Sequence, residues 1–188
     1  MKRPLGTSGN APAPEASESD TAVKGADVLC HVVEDIDGND VDLARYRGKA
    51  LLIVNVASKC GFTPQYEALE ALHEKYALRG LAVLGFPAND FLRQEPGSDA
   101  EIRQFCTTKY GVQFDMFAKI SVRGKNQAPL YKDLTSKEKN RPFSGSIKWN
   151  FTKFVAGRDG RVCARFGPRT RPDAPQMIEV IERELAKS

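Results

Sequence analysis

The sequence predicts an α/β domain: a central mixed β-sheet flanked by helices, with an N-terminal β-hairpin. Three observations carry this. Residues 51–57 and 81–86 are continuous apolar runs, the pattern of strands buried on both faces of a parallel sheet. Between them, Tyr66, Leu69, Leu72 and Tyr76 recur at helical spacing, so strand, helix and strand make one right-handed βαβ unit. Residues 151–156 and 161–166 flank Gly157-Arg158-Asp159-Gly160 and read as an antiparallel hairpin, which makes the sheet mixed.

The remaining elements follow in chain order. Residues 1–24 hold Pro4, Pro12 and Pro14 among small polar residues and have little apolar surface to bury; they are expected to form a disordered tail, with the folded domain over 25–188. Residues 27–43 read as two short strands around a turn at Asp37-Gly38-Asn39. Gly80 is placed to close the first helix. Ser98-Asp99-Ala100-Glu101 fits a capping box and opens a second helix, with Ile102, Phe105, Cys106 and Tyr110 on its apolar stripe. Residues 117–122 are a candidate strand and 129–134 a short helix. Met177, Ile178, Ile181 and Leu185 make the last helix amphipathic.

Composition narrows the function. The chain has 188 residues, 41% hydrophobic and 28% charged, which suits one ordinary globular domain. Its net charge of 28 − 24 = +4 is too weak to name a nucleic acid as partner. No apolar run approaches the length of about 18 residues that a membrane span needs. Lys2 and Arg3 are not followed by the apolar stretch of a secretory signal, so the expected location is the cytoplasm. The four cysteines, at 30, 60, 106 and 163, contain no Cys-x-x-Cys pair, so no metal is expected. Cys30 and Cys163 fall in predicted strands and read as core thiols, and His73 reads as a packing residue.

Cys60 is the sharpest local signal. It lies three residues beyond a buried strand and just before a helix, the edge of an α/β sheet where sites form. Helix N-terminal N–H groups and the adjoining Lys59 favour a thiolate there. The plain alternative is a small apolar residue filling a loop.

A family resemblance adds to this reading. Asn55-Val56-Ala57-Ser58-Lys59-Cys60-Gly61-Phe62-Thr63 resembles the active-site signature of the glutathione peroxidase family. Three more segments match in order: Gly85-Phe86-Pro87-Ala88-Asn89-Asp90-Phe91 with Gln94-Glu95-Pro96-Gly97, then Phe114-Asp115-Met116-Phe117 with Lys119-Ile120, then Lys148-Trp149-Asn150-Phe151. The resemblance implies a thioredoxin-like fold and a thiol peroxidase acting on hydrogen peroxide and organic or lipid hydroperoxides. It implies a peroxidatic Cys60 with Gln94, Trp149 and Asn150 as its partners. Read singly, Gln94 could be a solvated loop residue, Trp149 a core residue and Asn150 a turn residue. Cys106 resembles the resolving cysteine of thioredoxin-dependent members, although its place on a helix stripe equally suits a core cysteine. In that role helix 98–110 must unwind locally, since a disulfide needs Cα atoms within roughly 7 Å.

The resemblance implies no bound cofactor, with thioredoxin or glutathione as reducing co-substrate. The short segment between Leu134 and Lys148 resembles that of the monomeric members. Lys59, Arg93, Lys125 and Lys148 give the expected rim positive charge, suited to transient contact with a membrane surface or an acidic reductant. The chain departs from many members at Ala88, where they have cysteine, and at Asp90, where they have glutamine. Many animal members carry selenocysteine at position 60, a better leaving group than cysteine. Asn150-Phe151-Thr152 matches a glycosylation sequon, which the expected site role of Asn150 argues against. Two competing readings are a peroxide sensor that passes oxidation to a client protein, and a non-catalytic binding module.

Overall fold

The computed structural model describes residues 25–187, so the expected tail over 1–24 lies outside the described residues. The elements follow the predicted order: β1 (Val32–Glu34), β2 (Asp40–Asp42), β3 (Ala50–Val56), α1 (Gln65–Tyr76), β4 (Leu81–Pro87), α2 (Asp99–Tyr110), β5 (Asp115–Met116), α3 (Pro129–Thr135), β6 (Lys153–Ala156), β7 (Val162–Phe166) and α4 (Pro175–Leu185). Strands β1 and β2 pair as the expected hairpin. The other five form one sheet in the order β5-β4-β3-β6-β7.

Strand β3 is apolar at nearly every position, so it needs cover on both faces and a neighbour on both edges. It pairs in parallel with β4 and antiparallel with β6. Its side chains alternate between two cores, as the two-residue period of a strand requires. Leu51 and Ile53 join Leu84, Phe86 and Phe154 in a cluster closed by Leu43, Tyr46 and the α3 residues Leu130, Tyr131 and Leu134. Ala50, Leu52, Val54 and Val56 face the opposite way, against Leu69 and Leu72 of α1, Ile102 of α2 and Ile181 of α4. The βαβ unit thus anchors α1, and the C-terminal ends of β3 and β4 emerge side by side.

The local signals behave as read. Ser98 accepts from the Glu101 N–H while the Glu101 carboxylate accepts from the Ser98 N–H, so the capping box over α2 is complete. The first helix tightens through a short 3-10 turn and ends at Gly80, whose φ of 99° suits glycine.

Two expectations fail. Residues 117–122 do not form a strand; regular pairing ends at Met116. The backbone beyond it changes partners, with Phe117 N–H donating to Gly85 O, Ala118 N–H to Glu34 O and Val122 N–H to the Asp90 carboxylate. A ladder cannot persist when successive donors turn to different segments. Cys30 is not a core thiol in a strand but an exposed residue in a turn before β1. The Asp27 carboxylate takes the Leu29 N–H at 2.9 Å and folds the chain back there. Cys163 does lie on β7, half-buried, and burial pushes its thiol up to about 12. No helix among the described residues is long and apolar enough to cross a membrane.

Candidate active site

Three loops meet at one end of the sheet: those after β3 and β4, and the one before β6. The first carries Cys60. Its turn is closed from within by Thr63, whose hydroxyl accepts from Cys60 N–H at 2.9 Å and donates to Ala57 O at 2.8 Å. The Phe62 N–H points at the Cys60 sulfur, 3.4 Å away. Helix α1 begins at Gln65 without a side-chain cap; the N–H groups of Gln65, Tyr66 and Glu67 donate to the carbonyls of Phe62, Thr63 and Pro64, and Cys60 lies just before the positive end of the helix dipole. Cys60 as a whole residue is 8% exposed, at the edge of the core that α1 covers.

The second loop carries Gln94. Leu92 and Arg93 both adopt left-handed backbone, with φ of 50° and 53°, a conformation that costs about 1 kcal/mol for a residue with a Cβ. Side-chain ties hold the loop in place of glycine. Asp90 accepts from the Ser121 hydroxyl at 2.7 Å and the Val122 N–H at 2.8 Å, and Asn89 Oδ1 accepts from the Glu95 N–H at 2.9 Å. Lys59 N–H donates to the Gln94 carbonyl at 3.0 Å, which fastens this loop to the Cys60 loop.

The third loop carries Trp149 and Asn150. Asn55, the one polar residue of β3, is fully buried and organises it. The Asn55 amide donates to Trp149 O at 3.3 Å, its Oδ1 accepts from the Thr152 N–H at 3.1 Å, and its carbonyl takes the Phe151 N–H. Phe151 reaches a φ of 62° in the process, which turns Asn150 inward. Asn150 is fully buried, and its Nδ2 donates to Gln94 Oε1 at 3.0 Å while its Oδ1 has no protein partner. No oligosaccharide fits on that buried amide, so the sequon carries no glycan in the folded state. Trp149 is half-buried with its ring 5.5 Å from that of Phe91.

The structure therefore gathers the loops of Cys60, Gln94, Trp149 and Asn150, and joins Gln94 to Asn150 directly. Cys106 stands apart from this set. It is 1% exposed on α2, in the same core as the Cys60 side chain, and both thiols are free. Burial pushes the Cys106 thiol up to about 11, with the nearby Tyr66 hydroxyl pulling the other way.

Sequence reasoning assigned no role to Asn55, Thr63 or Glu95. The isolated polar residue in an apolar strand was a usable signal for Asn55. Nothing local marks Glu95, which is 1% exposed and shares a cavity of about 370 Å³ with Ser58, Lys59, Ile102 and Phe105. Burial raises its carboxyl to about 7, against the opposing pull of Ser58, Lys119 and Lys59. The folded carboxyl keeps its proton up to about pH 7, whereas the unfolded one releases it near 4.5, so stability falls as pH rises through that window. Glu95→Gln removes that slope and is expected to stabilise the protein by about 1–2 kcal/mol at pH 8 relative to its effect at pH 5. Urea unfolding at the two pH values measures it; an equal effect at both contradicts the assignment.

A five-stranded mixed sheet with a cysteine between its central strand and the following helix has the arrangement of a thioredoxin-like fold. The likeness to a thioredoxin-family thiol:disulfide interchange protein of Chlorobium tepidum, 19% identical with a TM-score of 0.58 over 83% of this chain and 93% of that one, shows the fold. The chain belongs to the glutathione peroxidase family, whose model matches residues 28–135. It is 47% identical over 179 residues to the thioredoxin/glutathione peroxidase BtuE of Escherichia coli, covering 85% of this chain and 98% of that protein. It is 51% identical over 143 residues to the hydroperoxy fatty acid reductase gpx1 of Synechocystis, covering 73% and 85%. The apo crystal structure of Trgpx superposes with a TM-score of 0.68 at 34% identity, over 87% of this chain and 98% of that one. The chain is a thiol peroxidase that reduces hydroperoxides.

Proposed function

We propose that Cys60 is the peroxidatic thiol and that Gln94, Trp149 and Asn150 serve its oxygen chemistry. The observation that carries this is the Asn150–Gln94 hydrogen bond at 3.0 Å, on loops fastened to the Cys60 turn through Lys59 and Gln94. A Cys60 thiolate attacks the terminal peroxide oxygen. The O–O bond breaks, sulfur is oxidised to a sulfenic acid, and the leaving oxygen takes a proton to become water or an alcohol. The Phe62 N–H faces the charge on sulfur. The Gln94 and Asn150 amides and the Trp149 indole N–H supply donors for the departing oxygen.

Cys106 resolves the sulfenic acid: its sulfur displaces the hydroxyl, which leaves as water, and a Cys60–Cys106 disulfide forms. Helix α2 must open first, because Cys106 is buried in its middle. A thioredoxin-type dithiol then reduces the disulfide, in preference to glutathione. The name of the Escherichia coli relative, a thioredoxin/glutathione peroxidase, supports both donors, and that of the Synechocystis relative supports fatty acyl hydroperoxides as substrates beside hydrogen peroxide. No bound cofactor takes part. The chain acts as a monomer, and the four free thiols suit the reducing cytoplasm. Lys59, Arg93, Lys125 and Lys148 are exposed and offer a basic rim for an acidic reductant or a lipid surface.

The test is NADPH oxidation with cumene hydroperoxide, coupled through thioredoxin and its reductase or through glutathione and its reductase. Faster turnover with thioredoxin is expected. Turnover with glutathione alone overturns the two-cysteine cycle. The burial of Cys106 favours a second reading, in which a client thiol captures the Cys60 sulfenic acid first; stoichiometric oxidation without turnover by either donor would select it.

A further inference from the structure

The fold brings a residue of α3 to an adjacent pair in the turn before β1. Cys30 Sγ, a ring nitrogen of His31 and a carboxylate oxygen of Asp133 all lie within 4.8 Å of one another, the first two from the turn before β1 and the third from α3. His31 Nε2 is 3.3 Å from Asp133 Oδ2, out of reach of solvent and without a hydrogen-bond partner. The Cys30 thiol is exposed and rests 3.2 Å from Asp27 O. The backbone beneath them is fixed. Val28 N–H donates to Gly160 O and Leu43 N–H to His31 O, both at 2.9 Å. Asn140 ties the segment to the end of α3, accepting from Ala26 N–H at 3.1 Å and donating to Leu134 O at 2.7 Å.

A thiolate, an imidazole and a carboxylate form the mixed S, N and O donor set that Zn²⁺ takes in sites with an open fourth position. Tetrahedral ligands around zinc stand about 3.3–3.8 Å apart, given bonds of about 2.0–2.3 Å. The His31–Asp133 spacing of 3.3 Å already meets this, and Cys30 Sγ lies within 4.8 Å of both. Asp133 is already drawing a cation: the Lys139 ammonium lies 2.8 and 2.9 Å from its two oxygens. Lys139 is exposed enough, at 59%, to swing clear.

We propose that Cys30, His31 and Asp133 form a zinc site that clasps the turn before β1 to α3, outside the peroxidase site. Binding releases the Cys30 thiol proton to solvent and displaces Lys139 from Asp133; no electrons move. The site also keeps Cys30 as a metal-bound thiolate, sheltered from the oxidant that the enzyme consumes.

The test titrates the reduced full-length chain with Zn²⁺ by calorimetry, and with Co²⁺ as a spectroscopic stand-in. One equivalent of zinc is expected to bind and raise the Tm, and cobalt to show tetrahedral bands with thiolate-to-metal charge transfer. Cys30→Ser is expected to weaken zinc by at least about 10-fold and abolish the charge-transfer band, without loss of peroxidase activity. Lys139→Met, on the surface, is expected to tighten zinc binding. The proposal is overturned if the wild type binds no zinc, or if Cys30→Ser binds it as the wild type does, which would place the metal on another thiol.

Discussion

Replacing Cys60 with serine is expected to lower hydroperoxide turnover by at least about 10³-fold, because a hydroxyl at neutral pH is neither appreciably ionised nor able to cycle through a sulfenic acid. The fold is expected to survive. The Thr63 hydroxyl binds the backbone N–H at position 60 whatever the side chain, and serine takes nearly the volume of the cysteine it replaces. Far-UV circular dichroism and urea unfolding check the structure, and peroxide consumption with excess reductant checks the chemistry. Activity within 10-fold of the wild type would place the peroxidatic group elsewhere.

Cys106→Ser is expected to separate the two halves of the cycle. The first reduction of peroxide needs only the Cys60 loop and its amide and indole donors, so its rate constant is expected to change by less than about 2-fold. Turnover driven by thioredoxin is expected to fall by about 10-fold or more, since no internal disulfide can form for the donor to reduce. The substitution buries a hydroxyl beside Tyr66 in the core, at a cost of about 1–2 kcal/mol of stability, which a denaturation curve registers independently. Rapid-mixing kinetics with one equivalent of peroxide give the first quantity and a coupled steady-state assay the second. Undiminished thioredoxin-driven turnover would make Cys106 a core residue only.

The architecture was legible because its signals were local and strong. Two seven-residue strands buried at every position announce a doubly covered sheet, and Ser98 with Glu101 marks the start of α2 through hydrogen bonds between neighbours in sequence. The fading of the edge strand after Met116 was not legible, because it follows from the distant claim of Asp90 on the Val122 N–H. Likewise Cys30 sits in an apolar-looking stretch, and only the Asp27 turn exposes it.

The candidate site divides the same way. Cys60 announces itself by its place between strand and helix, and Gln94, Trp149 and Asn150 by their resemblance to a known pattern. What that resemblance leaves without a role is the scaffold. Asn55 reaches Trp149 and Thr152 from 94 and 97 residues away, and such pairs follow no short spacing rule. The cluster of Cys30, His31 and Asp133 is hidden for the same reason: two members are adjacent, and the third arrives only when α3 packs against the turn. Spacing rules for metal ligands see a Cys-x-x-Cys but not a site assembled by tertiary structure.

The most direct test of the central claim is a non-reducing peptide mass map of the wild-type protein after one equivalent of hydrogen peroxide. A Cys60–Cys106 linked peptide is predicted, with Cys30 and Cys163 still reduced. A map in which Cys60 remains a thiol while peroxide disappears would contradict the claim.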